Sequence, residues 1–593
     1  MDEGIDDPRL QAEGEVSMAR LALDDAELSH AAEHAARALY LEPTLPEAHE
    51  LLAVLSDPEL FPLDQPVFLG TVLGRAHTLA ARGKAHEALR LLVSAQRHEL
   101  DGHWAAVPWV MDPALPARLN PGDITSLLAS LVGALSGDPI AKELQESLDP
   151  YLILARNAVA AHPADPQLLW CAALFVRRFG HDEEAASLAV RSAQLEPSVH
   201  AEMALGYARR NQGRHADAEA AWLRGLALDP QNVSLMTDLA EMLAEQGRGA
   251  DALAWTDRAQ QIDPAHDCSY VTGHAIRFDL DQDVDHLVAL ADHLRGQETG
   301  THAAGHADRL LTEKSGRRYW LCHLPSPSEA VVNVLHQVLE QAGPEASVGS
   351  LSLSAPEPPS ALLAVSQALP GIEVSVTEVP QPDLRAPIPA VFTAGPIRSV
   401  TGQVWVYEGT TARPAVAPPS PEGVAALLPL AGRRWPHLPA AYDEAVVLAA
   451  LPLNDLLGLL VHPVGAPPSP GEWPEWIRSV QAWAALGIAH HQADQPWPES
   501  LRRTVLIDLA FGPEDWLTEA GLLGLTATAW VFPETRREIA ELVSWRFLAG
   551  MEAAQTRAVT ILDSMALMVL ATPGTQADIR DLARTVLAPP EAE

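Results

Sequence analysis

The sequence predicts a mainly α-helical protein built from a helical-repeat solenoid, a small proline-rich α/β domain and a carboxyl-terminal helical array. Three observations predict it: punctuation residues recurring every 33 to 34 positions in one stretch, a crowding of proline in the middle of the chain, and long helical periodicity after residue 430. A chain of 593 residues is long enough for several cores. With 48% hydrophobic and 20% charged residues and a mean hydropathy of +0.01, it falls among folded globular chains. Forty Lys and Arg against 78 Asp and Glu give a formal net charge of −38, which repels phosphate backbones and anionic headgroups. Neither a nucleic acid nor a membrane is therefore expected as partner.

The repeat comes first, because its period decides the fold. Gly180, Gly213 and Gly247 are spaced 33 and 34 residues apart, Ala185, Ala218 and Ala252 each follow by five, and Pro197, Pro230 and Pro264 each lie 17 beyond a glycine. Each unit reads as a helical hairpin. Ala201, Ala204, Leu205 and Ala208 recur at helical spacing, Gly213 permits the turn, and Ala216 to Leu228 resumes the period until Asp229-Pro230 stops it. Ala218 is small enough for two helices to approach closely, and Trp222 fills the gap beside it. The next copy, Leu235 to Asp263, puts Leu239, Gly247, Ala252 and Ala259 at equivalent points.

Leu205-Gly206, Gly213, Ala218, Trp222 and Pro230 match the signature of the tetratricopeptide repeat, and the segment resembles that family closely over 166–264 and loosely over the rest of 1–312. The resemblance implies stacked antiparallel helix pairs whose first helices line a groove for an extended peptide or a partner helix. In register, that groove takes Trp170, Arg177 and Arg178 from one copy, Tyr207, Arg210 and Asn211 from the next, and Asp238, Glu241 and Glu245 from the third. It is expected to be basic and aromatic at one end and acidic at the other, complementing a peptide with separated acidic and basic determinants. The Lys and Asn pattern with which some family members clamp a chaperone's carboxylate terminus is missing.

Weaker copies flank this core. Residues 12–43, with Ala31, Ala35, Ala38 and Pro43, form a degenerate copy, and Val67 to Glu99 a hairpin pivoting on Gly83 with Ala88 at the expected interval. Leu100 to Pro121, carrying Trp104 and Trp109, interrupts the period as a loop packed on the solenoid. Helices follow over Ile124 to Leu135 and Ile140 to Ala161, and Val288 to Arg295 with Ala303 to Leu311 form a capping hairpin, closing a domain at residue 312.

Residues 341–470 hold 22 of the 49 prolines, where an even spread gives about 11, which disfavours long helices. Strands are predicted over Tyr319 to Leu324, Ser347 to Leu353, Ile372 to Thr377 and Gln403 to Tyr407, with helices Ser328 to Gln341 and Ser360 to Leu369 between them. That alternation is the order of parallel crossover units and predicts an α/β domain over 313–430. Over 431–593, Pro498-Glu499 and Pro533-Glu534 lie 35 residues apart, each followed by an arginine pair, Arg502-Arg503 and Arg536-Arg537. Asp515 to Val531 is nearly all apolar and must be buried on several sides. HEAT-like helical pairs, as a solenoid or a bundle, fit this pattern.

Signals for chemistry are few. Cys171, Cys268 and Cys322 lie far apart, which argues against disulfides and structural zinc and for a reducing compartment. An acidic amino terminus and the lack of a long apolar run make the expected location cytoplasmic. The bias to Ala, Leu, Pro and Arg over Lys is that of GC-rich bacterial genes. Cys322 beside His323 precedes a helix start, but neighbours on a strand point to opposite faces, so a buried strand residue is the expected role. Asp281, Asp283 and Asp285 before His286 imitate a calcium loop, yet His286 and Asp292 occupy the positions that need Gly and Glu; helix capping is the reading. His286 with His293 reads as a surface pair, and His490-His491 near Asp494 as capping of helix carbonyls. No metalloprotease, phosphate-loop, nucleophile-elbow or dinucleotide motif occurs. The expected function is a non-enzymatic adaptor or scaffold without cofactor or metal. The alternative is an enzyme or small-molecule sensor in the α/β domain, regulated by the helical repeats.

Overall fold

Helix boundaries follow the cap and turn chemistry of the chain. The computed structural model describes residues 7–64, 66–315, 350–354, 373–377, 416–431, 438–462, 473–491, 495–512, 516–555 and 561–588, with a few isolated positions besides. The chain divides into two compact units, Met1–Ser269 and Tyr270–Glu593.

The first unit is a succession of helices: α1 (Pro8–Asp24), α2 (Leu28–Leu41), α3 (Pro46–Val54), α4 (Leu69–Ala81), α5 (Ala85–His98), the single turn α6 (Pro108–Met111), α7 (Pro121–Val132), α8 (Lys142–Ala161), α9 (Pro166–Arg177), α10 (Asp182–Leu195), α11 (Val199–Asn211), α12 (His215–Leu228), α13 (Val233–Glu245) and α14 (Gly249–Ile262). Hairpins form between α1 and α2, α4 and α5, α9 and α10, α11 and α12, and α13 and α14. At their turns Gly83, Gly180, Gly213 and Gly247 take φ of +79°, +77°, +71° and +75°. The residue after three of these glycines closes the helix end, with Lys84 N–H donating to Leu79 O at 3.0 Å, and Arg214 to Arg209 O and Arg248 to Leu243 O at 2.9 Å. The degenerate copy lacks the glycine, and Ala26 takes the same left-handed conformation at φ +61°. The second helix of that hairpin follows at once, its closure made by Glu27 N–H on Ala22 O at 2.8 Å.

The first helices of the three strong repeats start on matching caps. Asp165, Ser198 and Asn232 accept from the backbone N–H of Leu168, Ala201 and Leu235 at 2.8, 3.2 and 3.0 Å. Ala88, Ala185, Ala218 and Ala252 are fully buried at the hairpin contacts, as is the indole of Trp222. That indole lies on Gly206, where an added Cβ would stand 2.0 Å from the indole nitrogen, and its N–H donates to Met203 O at 3.2 Å. Gly206 is thus required for space. Leu100 to Pro121 packs on the helices as expected: Trp104 is buried and donates to Glu99 O at 3.1 Å, and Trp109 donates to His77 Nδ1 at 3.1 Å.

In the second unit, α15 (Asp267–Asp281), whose first turn belongs to the preceding unit, is followed by the hairpin of α16 (Val284–Gly296) and α17 (His302–Ser315). Asp283 caps α16, accepting from Asp285 N–H at 2.9 Å. This hairpin packs with the carboxyl-terminal helices, whereas the sequence groups it with the repeats up to residue 312. Its acidic residues explain why: Asp283 and Asp285 both receive the buried Arg580 guanidinium, and Asp292 receives Arg536 through two bonds of 2.7 Å.

Strands β1 (Ser350–Ser354) and β2 (Glu373–Thr377) pair in parallel, from Ser350 opposite Glu373 to Ser354 opposite Thr377. The strands expected at Tyr319–Leu324 and Gln403–Tyr407, residues 328–340 and the helix at Ser360–Leu369 lie outside the described residues. Beyond them come α18 (Pro421–Ala431), α19 (Leu438–Glu444), α20 (Leu453–Val461), α21 (Trp473–His490), α22 (Leu501–Ala510), α23 (Trp516–Val531), α24 (Arg536–Ala554), α25 (Leu562–Ala571) and α26 (Ala577–Leu587). Helix α23 contacts α21, α22, α24 and α25, so it is apolar all round and buries Leu517, Leu522, Leu523 and Leu525. These partners lie one and two helices away along the chain, the contact pattern of stacked helix pairs, and together they enclose α23. Its hydroxyls are satisfied inside, Thr518 donating to Leu509 O at 3.1 Å and Thr528 to Gly524 O at 2.7 Å. The arginine pairs serve the same array. Arg502 is buried and donates to Thr528 Oγ1 at 2.9 Å, Arg503 pairs with Glu538, and Arg537 is exposed.

Candidate functional site

Helices α9, α11 and α13 each present one row of polar side chains, and the rows meet. The Tyr207 hydroxyl of α11 donates to the Asp238 carboxylate of α13. The Arg177 guanidinium of α9 lies 4.5 Å over the Tyr207 ring and pairs with Asp138, in the turn before α8. One turn further along, Arg210 grips Glu245 through a forked pair. Asn211 donates to Asp138 at 3.1 Å and to Asp182, in the first turn of α10, at 3.2 Å. Arg178 donates to Gly137 O at 2.6 Å, tying the turn that carries Asp138 to the end of α9. Trp170 stands apart from this ladder, stacked on His200 of α11 at 4.6 Å between ring centres.

Burial sets the electrostatics. The Arg177 guanidinium, nearly fully buried, is pushed down in pKa by desolvation, with Asp138 opposing. Desolvation and the adjacent Asp238 carboxylate hold the Tyr207 phenol well above its ordinary range. Burial pushes the Asp238 carboxyl up to about 6, with the Tyr207 hydrogen bond opposing and Glu241 adding to the rise. Three arginines, Arg177, Arg178 and Arg210, therefore face five carboxylates, those of Asp138, Asp182, Asp238, Glu241 and Glu245.

Eight of the nine residues expected on the groove thus gather in one network, and Trp170 lines the neighbouring stack. The expected separation into a basic aromatic end and an acidic end is corrected. Arg177, Tyr207 and Arg210 each already hold a carboxylate from another element, and carboxylates are in excess. Asp138, Asp182 and His200 were not legible as site residues, because Asp138 lies in a turn outside the repeat register and the other two carry no motif.

The remaining candidates resolve otherwise. Cys322 and His323 lie outside the described residues. His286 pairs with His274 Nδ1 at 3.1 Å and with Asp281 at 3.2 Å, while His293 packs on Tyr270 and meets Gln297 at 3.1 Å, so the two do not form a pair with each other. His490 meets Tyr442 O at 2.5 Å, a carbonyl of another helix rather than of its own. Among the described residues no group of three or more His, Cys, Asp and Glu is placed to hold a metal ion, and no helix is long and apolar enough to cross a membrane.

Three stacked helical hairpins, each with a glycine in its turn and a polar row along its first helix, define an α-solenoid of the interaction-repeat class. Residues 203–267, from α11 to the start of α15, match the family model described as "Tetratricopeptide repeat". No curated protein matches the chain at a significant level. Among solved structures it is similar to a tetratricopeptide repeat protein from Parabacteroides merdae, at 15% identity over 50% of this chain and 98% of that one, TM-score 0.28. It is also similar to PilW, described as a widely conserved type IV pilus biogenesis factor, at 17% identity over 40% and 96%, TM-score 0.26. A third is YrrB, described as a tetratricopeptide repeat protein with an unusual peptide-binding site, at 14% identity over 32% and 92%, TM-score 0.23. Repeats of this family are, in general, protein–protein interaction modules.

Proposed function

We propose that the chain is a non-enzymatic adaptor whose repeats 166–264 bind a protein or peptide segment along the first helices, at the ladder formed by Arg177, Tyr207, Arg210, Asn211, Asp238, Glu241 and Glu245. The observation that carries this reading is the ladder itself. Successive helices are locked to one another by side chains on the very face that the family uses for binding, so the surface is ordered before a partner arrives. Arg177, Tyr207 and Asp238 are buried or half-buried and set the spacing between repeats. Asn211 and the Arg210 and Glu245 pair are the more exposed groups and offer donors and acceptors to an extended main chain. The excess of carboxylates, within a chain of net charge −38, selects a neutral or basic segment over an acidic one.

A charge-swap cycle tests this. In binding measurements with a partner captured by the full chain, Arg210→Glu weakens the complex by roughly tenfold or more, and Arg210→Glu with Glu245→Arg restores part of it. Equal affinity in all variants, with helicity unchanged, rejects the ladder as the interface.

A further inference from the structure

The hairpin of α1 and α2 holds two histidines whose hydrogen bonds cannot all be satisfied while both rings are neutral. His30 and His34 sit one turn apart on α2, and their Nε2 atoms face each other at 3.1 Å. The other nitrogen of each ring is already committed: His34 Nδ1 to Glu15 Oε2 of α1 at 2.5 Å, and His30 Nδ1 to Glu27 Oε2 in the turn at 3.1 Å. A carboxylate accepts, so both Nδ1 atoms carry the proton. Both Nε2 atoms of the neutral rings then present lone pairs to one another. Two lone pairs at hydrogen-bond distance repel, and a cation between them removes the conflict.

We propose that His30 and His34 form a two-imidazole site for a divalent first-row transition-metal ion, with the Glu27 and Glu15 carboxylates holding the two rings in the ligating tautomer. The geometry supports it from three sides. Two nitrogens bound at about 2.0–2.1 Å to one ion stand about 2.9–3.4 Å apart for angles between square and tetrahedral, which brackets the observed separation. Histidines four residues apart on one helix face are a recurrent metal-binding spacing. Each ring also has a carboxylate on its far nitrogen, the arrangement that fixes ring orientation and raises ligand basicity at metal centres. His34 is buried with 7% exposure, whereas the His30 side chain is 52% exposed, so the pair is anchored on one side and open to solvent on the other. Water or a donor from another molecule completes the coordination. Imidazole ligands suit Zn²⁺, Ni²⁺ and Cu²⁺ over Mg²⁺ and Ca²⁺.

The competing occupant is a proton, which would make one ring an imidazolium. Titration of the metal-free full-length chain with Zn²⁺ by calorimetry, and with Co²⁺ by visible absorption, separates the two. The expected result is one binding equivalent that disappears in His30→Ala, an exposed position where folding is not at stake. Glu15→Gln is expected to weaken it by 10–100-fold without abolishing it, and His98→Ala, an exposed histidine of α5, to leave it unchanged. Identical titrations of the unsubstituted chain, His30→Ala and Glu15→Gln, with circular dichroism unchanged, overturn the proposal. So does a shared imidazole proton, seen by nitrogen NMR, that persists in excess Zn²⁺.

Discussion

The Tyr207 hydroxyl of one repeat donates to the Asp238 carboxylate of the next, so two groups with perturbed protonation share one bond across the repeat boundary. Asp238 has a carboxyl raised to about 6 in the folded chain. A raised acid favours the folded state below its unfolded pKa near 4, and that advantage is lost as pH rises through about 6. Removing the donor with Tyr207→Phe pushes the Asp238 carboxyl further up. The cost is expected to be small at pH 4 to 5, where Asp238 is protonated, and to grow to about 1–3 kcal/mol by pH 8. Denaturant unfolding at the two pH values checks it; a cost independent of pH would contradict the assignment.

Gly206 and Gly213 separate two uses of glycine. Alanine at 206 gains about 1 kcal/mol of helix propensity but places its Cβ into the Trp222 indole. The clash wins, and Gly206→Ala is expected to destabilise by about 1–3 kcal/mol in thermal unfolding. At Gly213 nothing lies within 4 Å of an added Cβ, and the whole cost is the positive φ, about 1 kcal/mol.

The converse holds at Ala26, which occupies the glycine position of the first hairpin at φ +61°. Ala26→Gly is expected to stabilise that hairpin by about 0.5–1 kcal/mol through relief of the left-handed strain. Slower amide exchange over α1 and α2 is the readout.

Glu519 is fully buried inside the carboxyl-terminal array, and desolvation pushes its carboxyl up to about 8, with Ser564 opposing. Its contribution to stability is complete below about pH 4 and is lost as pH rises toward 8, at up to about 1.4 kcal/mol per pH unit. Glu519→Gln is expected to flatten that slope for the second unit and raise its stability above pH 8. Urea midpoints recorded from pH 5 to 9 decide the matter, and a slope unchanged in the variant refutes it.

Arg580 joins α26 to Asp283 and Asp285 at the start of α16, and is itself buried. Arg580→Ala is expected to cost about 2–4 kcal/mol in the second unit, and Arg580→Lys to recover only part, because a lysine cannot fork between two carboxylates. A chain ending at residue 312 loses these partners altogether, and its α16 and α17 are expected to exchange amide protons rapidly.

Local chemistry made most helices legible. Gly83, Gly180, Gly213 and Gly247 stand at the turns they announce, and the apolar run ending at Val531 is central to its array. The caps at Asp165, Ser198 and Asn232 share the repeat period as well, carried by three different residue types with one chemistry. What local patterns do not carry is partnership across distance. The acidic run at 281–285 reads as a helix cap, and Asp283 caps α16, but nothing near it in sequence reports Arg580, which ties this hairpin to α26. The charges expected as a basic aromatic end and an acidic end of the groove pair instead across repeats, because Tyr207 and Asp238, or Arg210 and Glu245, meet only when successive repeats stack. Gly206 belonged to a recognised signature, yet its role as room for Trp222 needed the second helix in place.

The most direct test of the account is site-specific photo-crosslinking of the full chain to a bound partner, comparing a crosslinking residue at Asn211 on α11 with one at Gln194 on α10. The account predicts an adduct from position 211, mapping to a neutral or basic partner segment, and none from position 194. An adduct from 194 alone, with both variants folded and binding, would contradict it.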